Sequence, residues 1–118
     1  MTLVSKPSIL NGMKHNIHLF LDEENNVWFK AEEIAIILEY KNPKRAISII
    51  VDKKDQKEWS RFPSTTHVAT PSNWQTQTIF INIHGLTQLT MKCNNPKAKM
   101  FKRWVFKEFS PFIPKDVH

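Results

Sequence analysis

Lys99, Arg103 and Lys107 recur at every fourth residue. On an α-helix, where each residue turns by about 100°, that spacing lines their cationic ends along one face. Ammonium and guanidinium groups in such a row suit one chemistry above others: they neutralise phosphates and release counterions. Lys97 and Lys102 flank the row, and a second pair, Lys44 and Arg45, follows Asn42-Pro43 just as the row follows Asn95-Pro96. An Asn side chain caps a helix, and Pro loses nothing at the first helical position, whose N–H has no partner in any case. The repeated Asn-Pro-Lys therefore predicts two helix starts, and the free N–H groups of a helix start also attract phosphate. The competing reading of all these cations is a solvated helix face.

Charge is placed unevenly. Of the net +6, residues 1–40 carry −3, residues 41–63 carry +4, residues 64–91 carry none and residues 92–118 carry +5. Segregated positive charge builds a local potential that attracts polyanions, whereas mixed charge mostly solvates a surface. DNA, duplex or single-stranded, leads the candidate partners, followed by RNA and an acidic protein.

Residues for catalysis or metal binding are not arranged for it. His15 and His18 are three apart in a predicted strand and face opposite sides, and His67 and His84 have no Cys or carboxylate at ligand spacing. Glu32 and Glu33 are neighbours on a predicted helix and point about 100° apart. Cys93, the lone cysteine, has no His at fixed spacing and reads as a small buried hydrophobe, consistent with a reducing compartment. Two glycines cannot build a phosphate-cradling loop. No catalytic residue, metal or cofactor is expected.

The elements that must position the cations follow from periodicity. At 118 residues the chain reads as one domain over residues 15–114, after a lead-in at 1–14 with a short edge strand and before a tail at 115–118. No apolar run reaches the roughly 20 residues of a membrane span, and no signal peptide is visible, so an intracellular protein is expected. Ile17, Leu19 and Leu21 alternate with His18 and Phe20, Asp22 to Asn26 interrupts, and Val27-Trp28-Phe29 resumes, which predicts a hairpin. Ala31, Ile34, Ala35 and Leu38 predict a helix, and Ala46, Ile49 and Ile50 predict the buried face of a short second one. Trp59 to Phe62 reads as a strand entering a neutral loop, Pro63 to Gln75, and Ile79-Phe80-Ile81 as a further strand. A helix follows Gly85 with Leu86, Leu89, Thr90 and Cys93 on one side, and in the last helix Ala98, Phe101, Val105, Phe109 and Phe112 oppose the cationic row up to Pro111. The fold class is α+β, a small antiparallel sheet with four helices. Trp59, Trp74 and Tyr40 are candidates for stacking on unpaired bases, while Trp28 and Trp104 lie in core-like patterns.

Three blocks of this chain resemble the Bro-N domain of baculovirus-repeated-ORF proteins and phage antirepressors. They are Trp28 to Ala35 continuing through Leu38 to Ile47, Phe80 to Leu86 with Leu89, and Pro96 to Val105 continuing through Glu108 to Ile113. The resemblance spans roughly residues 15–113 and implies a Bro-N-like α+β module that binds nucleic acid without catalysis, in a viral or phage regulatory protein. It also implies transcription regulation or an antirepressor-like role, in which the basic faces would dock an acidic protein. The place of action would be the host nucleus or cytoplasm for a eukaryotic virus, and the cytoplasm for a phage or bacterium. Three residues depart from the family pattern: Glu33 where Asp is frequent, Ile83 where Glu is common, and Glu39 in place of the usual glycine before Tyr40, at a turn where glycine tolerates positive φ.

Overall fold

The computed structural model describes residues 2–10, 13–62 and 75–113. Five strands, β1 (Thr2–Leu10), β2 (Met13–Leu21), β3 (Val27–Lys30), β4 (Gln56–Glu58) and β5 (Ile79–Ile81), form one sheet in the order β1-β2-β3-β5-β4. Every neighbouring pair is antiparallel. Among the described residues four helices accompany it: α1 (Ala31–Ile37), α2 (Pro43–Ile50), α3 (Ile83–Lys92) and α4 (Lys97–Glu108). This is the expected α+β arrangement, and among the described residues no helix is long and apolar enough to cross a membrane.

The two-residue period of the strands sorts their side chains onto two faces. Ile17, Leu19, Val27, Phe29 and Ile81 meet the helices through Ala31, Ile34, Leu86, Leu89, Phe101, Val105 and Phe109. The intervening residues Phe20, Trp28 and Phe80 form a second cluster with Trp59 and Phe62. Phe20 meets Phe80, Phe62 and Trp59 edge-on, with ring centroids at 5.0, 5.1 and 5.6 Å. The sheet thus has helices on one face and an aromatic cluster on the other.

That cluster corrects one expectation. Trp59 to Phe62 is not a strand: Trp59–Arg61 is a 3₁₀ turn, and the edge strand is β4, one step earlier in a run that reads as polar from its composition. The Trp59 N–H donates to the Thr78 carbonyl at 2.8 Å and the Ser60 N–H to that of Thr76 at 2.9 Å, which holds the turn against the approach to β5. Trp59 and Phe62 then fold onto the sheet at 4 % and 3 % exposure, so Trp59 is not available for base stacking.

The predicted face of α2 is also corrected. Ile47 is buried and Ile49 is 67 % exposed. Four aliphatic residues within five positions leave the phase of a two-turn helix ambiguous, and packing against α1 and α3 settles it. α3 begins before Gly85, at Ile83, because the Asn82 side chain caps it by accepting the Gly85 N–H at 3.0 Å. Asn82 also donates through Nδ2 to the buried Asp55 carboxylate at 3.0 Å, fastening α3 to the turn before β4. The hairpin and the buried faces of α1 and α4 follow the sequence pattern, with Ala98, Phe101, Val105 and Phe109 all buried. The lead-in stretch contains β1, which pairs with β2 from Thr2↔Leu21 to Leu10↔Met13 at the edge of the sheet, where Pro7 is tolerated. Residues 63–74 of the neutral loop, with His67 and Trp74, lie outside the described residues, as do Asn11, Gly12 and Pro114.

Gly85 is fixed by space. A Cβ there would lie 2.8 Å from Ile81 Cβ, 3.1 Å from Val51 Cγ1 and 3.2 Å from the Asp55 carbonyl oxygen. Gly85→Ala gains about 1 kcal/mol of helix propensity but overpacks the junction of α3 and β5. The overpacking is expected to win, with a net loss on the order of 2 kcal/mol read as a lower urea midpoint. In the hairpin loop, burial works to raise the Asp22 carboxyl, but hydrogen bonds from Trp28 Nε1 and from the N–H groups of Asn26 and Glu24 outweigh it and hold the group below its ordinary value. Its contribution is therefore complete above the ordinary carboxylate range and disappears as pH falls through the lowered value. Asp22→Asn is expected to narrow the difference between melting temperatures at about pH 7 and about pH 3.

Candidate nucleic-acid interface

The row on α4 is oriented by a node where three helix ends meet. α1 ends in a turn in which the Glu39 N–H donates to the Ile36 carbonyl at 3.0 Å and the Tyr40 N–H to that of Ala35 at 3.1 Å. This turn needs a left-handed residue, and Glu39 supplies it at φ 65°. The geometry associated with glycine is kept by a glutamate, at a cost on the order of 1–2 kcal/mol. Its side chain is used: Glu39 Oε2 accepts from Asn95 Nδ2 at 2.7 Å. Asn95 in turn precedes the N-cap residue Pro96 of α4, its Oδ1 accepting the Lys97 N–H and its carbonyl the Ala98 N–H, both at 3.0 Å.

Neighbouring contacts close the node. The Tyr40 hydroxyl donates to the Leu89 carbonyl at 2.7 Å, and burial, with the nearby Cys93 thiol, pushes its pKa up to about 12. The Cys93 thiol donates to the Leu38 carbonyl at 3.4 Å and accepts the Asn95 N–H at 3.4 Å. Tyr40 is thus a half-buried tie between helices, and Cys93 a half-buried one rather than a fully enclosed hydrophobe.

From this node α4 projects Lys99, Arg103 and Lys107 to solvent, opposite Ala98, Phe101 and Val105. Lys97 and Lys102 are half-buried, and Lys102 Nζ lies 5.8 Å from the centroid of the Phe106 ring. Lys99 and Lys102 line a hollow of ≈ 420 Å³ beside Asn94, Asn95 and Pro96 at the start of the helix. None of these five cations forms an ion pair among the described residues. Lys44 and Arg45 are exposed at the start of α2, which the Asn42 side chain caps by accepting the Arg45 N–H at 3.2 Å. α3 packs against both α2 and α4, so the two candidate groups belong to different flanks of the helical layer. Lys44 instead lines a groove of ≈ 290 Å³ with Glu32, Gln56 and Ile79.

Periodicity alone missed an acid–base contact: Glu33 Oε1 accepts the backbone N–H of His18 at 2.8 Å and Oε2 lies 2.6 Å from His18 Nδ1. Glu33 thereby anchors the first turn of α1 to β2. Spacing offers no signal for a contact between a strand and a helix separated by a hairpin.

The model of the BRO family, N-terminal domain (Bro-N), matches residues 16–111. Over 100 residues the chain is 29 % identical to an uncharacterized protein of Haemophilus influenzae, covering 84 % of this chain and 45 % of the relative. Over 104 residues it is 29 % identical to an uncharacterized Bro-N domain-containing protein, L2, of Acanthamoeba polyphaga mimivirus, covering 82 % of this chain and 42 % of the relative. The chain therefore spans less than half the length of these curated relatives. No solved structure matches.

Asn42 and Asn95 separate local from tertiary contributions. Asn42→Ala removes a helix cap alone and is expected to cost about 1 kcal/mol. Asn95→Ala removes the bond to the Lys97 N–H at the start of α4 and the bond to Glu39, and is expected to cost about 2 kcal/mol, of which Glu39→Gln restores nothing. Urea unfolding of the two variants side by side checks the order.

Proposed function

The chain belongs to the Bro-N family, and we propose that it is a non-enzymatic DNA-binding module of a viral or phage regulatory protein. The observation that carries this reading is the α4 row: Lys99, Arg103 and Lys107 are exposed, in line, and without an acidic partner among the described residues. Lys97 and Lys102 flank it, and Lys44 and Arg45 form a separate exposed group at the start of α2. Each lysine or arginine that meets a phosphate releases condensed counterions, so binding is driven largely by the backbone and is indifferent to sequence at these positions. Trp59 is buried and the Tyr40 hydroxyl is tied to Leu89, so among the described stacking candidates neither is displayed, and the reading rests on phosphate contacts.

The test is affinity for mixed-sequence duplex and single-stranded DNA across roughly 50 to 200 mM salt, with log K plotted against log salt. A slope of several units is expected for the duplex, falling by about 2.7 when Lys99, Arg103 and Lys107 are each replaced by Ala, since each phosphate contact contributes about 0.9. A native chain whose line is flat would overturn the reading and assign the basic faces to an acidic protein.

A further inference from the structure

A second set of cations gathers on the other side of the molecule. Lys53 comes from the 3₁₀ turn Lys53–Asp55, Lys57 from β4 and Arg61 from the turn Trp59–Arg61, and all three line a groove of ≈ 340 Å³. This groove shares Ser48, Gln56 and Ile79 with the one that Lys44 lines, so the two adjoin at β4. Four cations from four elements thus line two adjoining grooves at the β4 edge, against the two carboxylates Glu58 and Glu32. None of the four cations is ion-paired among the described residues.

Side-chain order favours a binding role. Lys57 Nζ lies 4.6 Å from the Phe62 ring centroid and 5.8 Å from that of Trp28, so the aromatic cluster holds the ammonium at the β4 edge, on the face of the sheet away from α2. A side chain already held loses less rotamer freedom on meeting an anion. Lysine on an edge strand also guards against strand addition, but Lys57 alone would serve that purpose. Guarding the edge does not account for Lys44, Lys53 and Arg61 lining adjoining grooves beside it.

The location is separate from the end of α4. Glu108, next to Lys107, meets Lys6 of β1 at 3.6 Å, so the far end of α4 reaches one edge of the sheet while the adjoining grooves lie at the other. Four inter-strand steps of about 4.8 Å place those edges about 19 Å apart.

We infer that the β4 edge is a second phosphate-binding surface, built by Lys44, Lys53, Lys57 and Arg61, which contacts nucleic acid in addition to α4. It rests on the DNA-binding reading above and adds its own term to the salt dependence. The test uses the full chain and the same duplex salt series, with Lys53→Ala/Arg61→Ala, the triple variant that adds Lys57→Ala, and the α4 triple variant. The β4 double variant is expected to lower the slope by about 1.8 and the β4 triple by about 2.7. Lys53 and Arg61 are exposed, so the double variant preserves the test should loss of the Lys57 ring contacts unfold the triple. A native slope retained by the β4 double variant, with the α4 triple reduced, overturns this surface and leaves α4 standing. A flat line for the native chain overturns both.

Discussion

The contact between Glu39 and Asn95 is the constraint on which the orientation of the cationic helix depends. A left-handed glutamate costs on the order of 1–2 kcal/mol, and a single exposed hydrogen bond returns about 1. The turn persists because it shares its location with the Tyr40 hydroxyl bond to Leu89 and the Cys93 thiol bond to Leu38. Together these contacts fasten the ends of α1 and α3 to the start of α4. With the helix start fixed and Ala98, Phe101, Val105 and Phe109 buried, the opposite face has one direction left, toward solvent. The position of three charges thus follows from a turn that itself carries one negative charge.

The second constraint is that the sheet is covered on both faces. A small sheet packed on one side only would leave Phe20, Trp28 and Phe80 in water. Five buried aromatic residues, each large enough to contribute on the order of 2 kcal/mol, instead form a core of their own. Trp59 and Phe62 complete it, and in doing so they pin the segment that bears Lys57 and Arg61 along β4. Burial of aromatic side chains and display of cations are here two results of one turn. The Asp55–Asn82 contact fixes the same segment from its other end, where Asn82 also caps α3.

Sequence by itself determined the α+β class, the hairpin around Asp22 to Asn26, both Asn-Pro-Lys helix starts and the solvent-facing row on α4. These are readable because each rests on local physics: a period of two or 3.6, a cap, or a proline. Only tertiary structure decided that Ile47 rather than Ile49 faces inward on α2, that Gln56–Glu58 is the edge strand, and that Trp59 is packed rather than displayed. It alone brought His18 to Glu33, and it gathered Lys44, Lys53, Lys57 and Arg61 around the β4 edge although the sequence shows only a block of positive charge. The reason is common to all of these. A short or polar segment lacks enough periodic apolar positions to choose its own orientation, so the partners it packs against choose for it.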